Sequence, residues 1–322
     1  MFFSIIIPLY NRPQEIKELL ETLTQQTYKN FEVLVIEDGS IDDAKDIVNG
    51  FTGQLNVRYF VKENAGQGFA RNYAFERAEG DYFIIFDSDC LIPEDYLEVV
   101  NNSLAENWLD AYGGPDAAHP SFTLVQKAIS YSMTSPFTTG GIRGNKKSLG
   151  QFHPRSFNMG ISRQVWEIAG GFIITRSGED IEYSIRIHTM DFKIGLIPRA
   201  KVYHKRRTSL YQFYKQLHFF GRARINVYKF FPNELKAVHF FPAIFTLGVL
   251  FTLISNIFNW PIAILCNVIA LLIILLIFFH SLSKNKSVKI AFLSVLASFI
   301  QLTAYGLGFM QDYWRRVILK RF

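Results

Sequence analysis

Acidic residues all but disappear from the last third of this chain. Residues 201–322 hold 2 Asp and Glu against 16 Lys and Arg, a balance of +14, whereas residues 1–200 hold 26 against 18, a balance of −8. Formal charge of either sign is absent from Ala237 to Ser283, a run of 47 residues, and from Ile290 to Gln311, a run of 22. Cysteine is scarce as well. Cys90 and Cys266 are the only two in 322 residues and the second lies inside an apolar run, which excludes a disulfide framework and fits a reduced, cytosol-facing setting. Internal repeats and low-complexity segments are missing. What the chain has in excess is apolar bulk: 49% hydrophobic residues, with 31 Phe, exclude a disordered or nucleic-acid-binding tail.

One membrane-spanning helix needs roughly 20 apolar residues. The 47-residue run therefore reads as a hairpin of two spans turning near Asn259-Trp260-Pro261, and the 22-residue run as a third. The hairpin returns Lys284, Lys286 and Lys289 to the cytosolic side, in keeping with the usual excess of basic residues there. A third full span would carry Arg315, Arg316, Lys320 and Arg321 across, so the last run is either re-entrant or interfacial, or it breaks that rule. Basic residues abutting apolar runs point to an anionic membrane surface rather than to nucleic acid. The amino terminus, Phe2 to Pro8, lacks a basic leader and is cut short by Asn11-Arg12-Pro13, so it reads as a buried strand and not as a signal peptide. The chain is expected to be a multi-pass protein of the cell inner (cytoplasmic) membrane, with residues 1–200 in the cytosol.

Short β-rich runs alternate with amphipathic stretches through the first hundred residues, the pattern of an α/β sheet covered by helices. Strands are predicted at Phe3–Pro8, Glu32–Glu37, Val57–Val61 and Tyr82–Phe86, and helices at Gln14–Gln25, Ile41–Phe51 and Gly66–Ala78. Gly113 to His153, crowded with Gly, Pro, Ser, Thr and Lys, reads as an irregular loop that orders over a bound donor or acceptor. Helices follow at Arg163–Ala169 and from near Glu179. Thr208–Phe231 sets Leu210, Phe213, Leu217 and Phe220 on one face and Lys215, Arg222 and Arg224 elsewhere, as an amphipathic helix of the membrane interface does. Residues 1–207 are thus expected to form a catalytic domain, 208–236 an interfacial segment, and 237–322 a helical membrane region of two to three spans.

In an open α/β sheet, ligands gather beyond the carboxyl ends of the strands. The four predicted strands are followed by Pro8, Tyr10 and Asn11; by Glu37-Asp38-Gly39-Ser40; by Glu63-Asn64-Ala65-Gly66; and by Asp87-Ser88-Asp89. One such cluster is an ordinary turn, but four in succession point to a site. Asp87 and Asp89 leave the sheet two residues apart, where like charges call for a cation between them and a further anion. Mg²⁺ or Mn²⁺, bridging carboxylates to a diphosphate, meets that requirement.

In that order, Ser4 to Arg12, Val35 to Asp43, Asn64-Ala65-Gly66 with Ala70-Arg71-Asn72, and Phe86 to Asp89 resemble the successive signatures of the inverting family 2 glycosyltransferases. The resemblance covers about the first 200 residues. It implies a GT-A fold, a Rossmann-like mixed sheet flanked by helices, that binds a nucleotide-diphosphate sugar. It also implies donor contacts from Pro8, Tyr10, Asn11, Asp38 (to the nucleobase), Arg71, Asp87 (near ribose and sugar) and Ser88, with Mg²⁺ or Mn²⁺ on Asp89. Phe157 to Arg163 and Gly170-Gly171-Phe172 resemble the acceptor-side strand and helix, and Gly178-Glu179-Asp180 the Glu-Asp motif. Asn158, Met159 and Glu179 are accordingly expected on the acceptor side, and Asp180 as the base that deprotonates the acceptor hydroxyl. His204 is a further candidate ligand for the metal. Glu37 stands where the family often has Asp, and Phe219-Phe220 where processive synthases carry Arg-Trp, which argues against a polymerising synthase. The function expected is a membrane-attached inverting glycosyltransferase with a lipid-linked or other membrane-bound acceptor and membrane lipids as neighbours. A polyprenyl-phosphate sugar synthase is the enzymatic alternative, and an inactive scaffold with a nucleotide-sugar pocket the alternative of another class.

Overall fold

The computed structural model describes residues 1–139 and 152–321. They divide into two compact units, one formed by Met1–His119 with the described part of Gly144–Lys205, the other by the described parts of Pro120–Arg143 and Arg206–Phe322.

The first unit is built on strands β1 (Phe3–Leu9), β2 (Phe31–Asp38), β3 (Val57–Lys62), β4 (Tyr82–Phe86), β5 (Cys90–Leu91), β6 (Ala111–Gly113), β7 (Asp116–Ala117), β8 (Asn158–Ser162), β9 (Ile194–Leu196) and β10 (Val202–His204). Seven of them form a sheet in the order β3-β2-β1-β4-β8-β6-β9, and three a small one in the order β5-β10-β7. Strands β1 to β4 run parallel, and β8 runs antiparallel to both β4 and β6, so the large sheet is mixed and flanked by helices. Its central strands are continuous runs of Ile, Val, Leu and Phe because both faces are covered. On one face Ile5, Ile7, Val33 and Val35 meet Ile16, Leu19, Leu20 and Leu23 of helix Pro13–Thr24; on the other, Ile6, Leu34 and Ile36 meet Ala70, Ala74 and Phe75 of helix Gln67–Phe75.

Two expectations change. The helix predicted over Ile41–Phe51 is only Lys45–Asn49. Glu37 accepts the Ala44 N–H at 3.1 Å and Asn11 Oδ1 accepts that of Ile41 at 2.9 Å, so residues 38–44 are held as a turn and Ile41 is 95% exposed. The stretch expected to be irregular from Gly113 to His153 contains β7 and the helices Leu124–Thr134 and Pro136–Thr139. A capping box starts the longer helix, Thr123 Oγ1 accepting from Gln126 N–H while the Gln126 side chain accepts from Thr123 N–H. The remainder, residues 140–151, lies outside the described residues, and with it the expected closure over substrate.

In the second unit, helices Leu210–Phe230, Phe241–Ile257, Ile262–Asn285 and Val288–Asp312 are followed by π-helical turns at Tyr313–Ile318. Three helices, Ala237–Ile257, Ile262–Asn285 and Val288–Ile318, are long and apolar enough to cross a membrane. The apolar stripe expected on Thr208–Phe231 is present and packs on protein: Phe213 and Leu217 lie among Ile129, Met133, Ala297 and Ala304. Close approach continues at Gly221, where a Cβ would strike the Tyr305 backbone, and at Gly308, where it would strike that of His218. Gly221→Leu is therefore expected to destabilise the detergent-solubilised chain by about 1–3 kcal/mol through overpacking. Thermal unfolding reads this directly, and an unchanged midpoint would show that the two helices do not touch there.

Candidate active site

The carboxyl ends of β1 to β4 share one edge of the sheet, and the order β3-β2-β1-β4 makes β1 the point where successive connections turn opposite ways. The strand-end residues gather at this edge, held by one another. Asp38, buried at the end of β2, accepts at Oδ1 from Lys62 Nζ (2.7 Å) and Ala65 N–H (3.0 Å), and at Oδ2 from Gly66 N–H (2.8 Å). It thereby fixes the turn before helix Gln67–Phe75. That turn needs glycine: Gly66 has φ +93°, and a Cβ there would run into Thr175 and Arg176. Asn11, at φ 50°, donates its N–H to Ser40 Oγ at 2.7 Å and so ties the end of β1 to the end of β2. Pro8 lies in β1, Tyr10 just past it is half exposed, and Ser88 is buried.

Arg71 is wholly buried, at 0% exposure. Its Nη2 donates to Asp87 Oδ1 at 2.9 Å and its Nη1 to Glu179 Oε1 at 3.3 Å, with the guanidinium 5.3 Å from the Phe172 ring centroid. Gln67 Nε2 also donates to Glu179. Burial and the neighbouring Asp180 push the Glu179 carboxyl above its ordinary range, against the opposing pull of Arg71. Asp180, beside it in the first turn of helix Glu179–Thr189, has Arg155 Nη1 at 3.6 Å from its Oδ2.

Asp87 and Asp89 are drawn to different cations. Asp89 Oδ2 accepts from Arg12 Nη1 at 2.5 Å, and His204 Nε2 lies 3.1 Å from Oδ1. Strand pairing makes this meeting: β10 lies antiparallel to β5 with His204 opposite Cys90, and Lys205 N–H donates to the Asp89 carbonyl. Burial alone would raise the Asp89 carboxyl, but His204 and Arg12 outweigh it and hold it well below the usual carboxylate range. Ligand atoms of Asp89, Cys90 and His204 lie within 4.8 Å of one another. Asp89 Oδ1 is buried and accepts no well-aligned hydrogen bond among the described residues, which suits a carboxylate built to meet a cation. The carboxylate oxygen fits Mn²⁺ or Mg²⁺, and the imidazole nitrogen beside it suits Mn²⁺, the softer of the two. The Cys90 thiol does not take part: burial and the nearby Asp89 and Asp87 charges push its pKa up, and it donates to the Phe157 carbonyl.

On the acceptor side, Asn158 is fully buried, donating to the Ala200 carbonyl at 2.8 Å and accepting from Tyr96 OH at 2.5 Å, and Met159 lies in the core. Arg12, Gln67 and Arg155 were not legible as site residues. Arg12 ends a turn, and only the fold reveals that its charge meets an aspartate at position 89. Arg71→Ala, leaving Asp87 and Glu179 without their buried counter-ion, is expected to lose about 3–5 kcal/mol of stability. Denaturant unfolding checks it, with Arg71→Ala/Asp87→Asn/Glu179→Gln recovering part of the loss.

The residues matched by the model of Glycosyl transferase family 2 are 4–167. An uncharacterized glycosyltransferase of Rickettsia felis is 40% identical over 104 residues, 32% of this chain and 17% of that protein. Glycosyltransferase GlyG of Streptococcus pneumoniae is 34% identical over 113 residues, 34% of this chain and 38% of that one. The chain thus matches well under half the length of these curated relatives. Among solved structures, a mannosyltransferase from Pyrobaculum calidifontis, in complex with GDP-Man and Mn²⁺, aligns over 98% of this chain and 87% of its own with TM-score 0.60 and 17% identity. S. aureus TarS 1-349 in complex with UDP aligns over 98% and 92% with TM-score 0.50 and 19% identity. These likenesses establish a GT-A-like fold. With more than half of its length, the strand-end clusters included, matched by the family model, the chain belongs to glycosyl transferase family 2.

Proposed function

We propose that this protein is a membrane-attached inverting glycosyltransferase that moves a sugar from a nucleotide-diphosphate sugar to a lipid-linked or other membrane-bound acceptor. One observation carries the reading: where four strands end, a buried Asp89 oxygen without a well-aligned hydrogen bond faces the His204 imidazole at 3.1 Å. Asp89 and His204 would hold a divalent ion, Mg²⁺ or Mn²⁺, whose charge offsets that of the departing diphosphate. The Mn²⁺ and GDP-Man of the Pyrobaculum mannosyltransferase, and the UDP of TarS, support such a metal and such a donor.

Pro8, Tyr10, Asn11, Asp38, Asp87 and Ser88 line the donor side. Arg71 acts through Asp87 and Glu179 as a positioning residue, since its own guanidinium has no exposed surface. Asn158, with Met159, braces the strand beneath the acceptor side. Asp180 takes the proton of the acceptor hydroxyl as its oxygen bonds the anomeric carbon and the diphosphate departs from the opposite face, which inverts the configuration. Arg155, 3.6 Å from Asp180 Oδ2, holds that carboxylate in place, while Glu179, bound to Arg71 and Gln67, keeps to orientation. Residues 1–207 would carry this chemistry on the cytosolic side, 208–236 lie in the interface, and 237–322 anchor the chain in the cytoplasmic membrane.

Donor turnover by the purified full-length chain with Mn²⁺ tests the metal residues: Asp89→Ala is expected to fall by at least about a hundredfold. Parental turnover by this variant at saturating donor refutes the assignment. Asp180→Asn is expected to fall by about 10²–10⁴ with a hydroxyl acceptor. Near-normal turnover of Asp180→Asn on polyprenyl phosphate, which needs no base, would favour the polyprenyl-phosphate synthase. Sugar transfer or donor hydrolysis by the parent excludes the inactive scaffold.

A further inference from the structure

The three apolar helices of the second unit are not equivalent. Within the apolar windows of Ala237–Ile257 and Ile262–Asn285, 11% is buried inside the protein, against 50% for Val288–Ile318. The first two form a hairpin whose tip is tied by Asn256 and Asn267, which exchange amide hydrogen bonds at 3.0 and 2.9 Å. The third helix touches both legs at the open end. Its C-terminal half meets the start of the first leg: Phe309 lies 5.0 Å from Phe240, Leu302 accepts from Thr246 Oγ1 at 3.5 Å, and Phe299 lies 5.3 Å from Phe245. Its N-terminal half meets the end of the second leg, with Ser281 Oγ donating to Ser294 Oγ at 2.8 Å and Phe278 lying 4.9 Å from Phe292.

These contacts fix a direction. From Phe240 to Phe245 the partners step backwards, from Phe309 to Phe299, so the third helix runs against the first leg. From Phe278 to Ser281 it keeps close to its own start, as the short turn between Asn285 and Val288 demands, so it also runs away from the end of the second leg. A third span standing beside an antiparallel hairpin would run parallel to the first leg and reach the tip. A helix laid across the open end makes both sets of contacts.

We infer that Val288–Asp312 does not cross the bilayer: it lies across the open end of a two-span hairpin, in the headgroup region of the leaflet where Lys284, Lys286 and Lys289 emerge. The basic tail with Arg315, Arg316, Lys320 and Arg321 then stays on that same face. A second observation agrees. Helix Leu210–Phe230 accompanies the third helix in the same direction, from Phe213 and Leu217 beside Ala297 and Ala304, through Gly221 at Tyr305, to Arg222 Nε on Asp312 Oδ1 at 3.1 Å and Asn226 Oδ1 accepting from Arg316 Nη1 at 3.2 Å. A spanning third helix would draw this companion into hydrocarbon with Lys215, Arg222 and Arg224, where charge is costly. Laid in the interface, the pair keeps these cations beside anionic lipid phosphates. Asp312, 1% exposed at the end of the apolar run, is matched there by Arg222 and Arg316 at 3.1 Å each.

Single-cysteine labelling of the full chain in sealed vesicles of known orientation tests this, in a Cys266→Ser background with Cys90 buried. With a membrane-impermeant maleimide, Lys284→Cys and Arg321→Cys are expected to react from one side and Phe258→Cys from the other. Arg321→Cys reacting from the side of Phe258→Cys overturns the inference, as does reaction of all three from one side. An epitope tag after Phe322, cleaved by added protease only in vesicles that also expose Lys284→Cys, gives the same reading without a cysteine in the tail. Soluble recovery would overturn this inference together with the proposed membrane attachment, whereas a tail on the far side overturns this one alone.

Discussion

A guanidinium with no access to water sets the geometry of the whole sheet edge. An isolated buried charge is untenable, so Arg71 can sit at 0% exposure only because carboxylates from two distant segments close on it. The constraint acts in both directions. Asp87 at the end of β4 and Glu179 at the start of helix Glu179–Thr189 are held to one cation, so the segments proposed to serve donor and acceptor cannot drift apart without exposing it. The same helix that carries Arg71 holds the segment around Phe172 through Asn72, whose Oδ1 accepts from Phe172 N–H at 2.7 Å and whose Nδ2 donates to the Phe172 carbonyl at 2.8 Å. Phe172 in turn faces the guanidinium.

Around that fixed edge, charge is divided unevenly between two aspartates two residues apart. Asp87 answers Arg71, while Asp89 is left to Arg12 and His204, whose pull overcomes the penalty of its burial. The pairing of β5 with β10 is what makes this possible, bringing residues 89 and 204 together through a strand of three residues. An acid kept ionised in a buried setting is the state in which it can bind a cation at neutral pH.

Much of this architecture is legible in the sequence. The run Tyr82 to Phe86 admits little but a buried strand, and Ile16, Leu19, Leu20 and Leu23 mark the buried face of the first helix at the spacing observed. The four strand-end clusters likewise foretell an edge where polar groups meet. What the sequence conceals is division of labour among those groups. The family resemblance implies Asp38, Asn11 and Asn158 as contacts to substrate, and the fold gives each a further task, binding backbone from other segments, as a residue type with several donors or acceptors can. The helix expected at Ile41–Phe51 fails for the same reason: local periodicity favours it, and side chains from positions 11 and 37 capture the backbone amides it would need. In the second unit, length and apolarity mark three helices able to cross a membrane, and only contacts between helices set the third apart from the first two.

The metal residues can be examined without turnover. Pulsed EPR of Mn²⁺ bound to the full-length chain in the presence of a nucleoside diphosphate reports the nuclei in its coordination shell. Coupling to a single histidine nitrogen, absent in His204→Ala, with binding greatly weakened in Asp89→Asn, is the expected result. Mn²⁺ bound without nitrogen coupling, and held equally well by Asp89→Asn, would contradict a metal site at the edge where the four strands end.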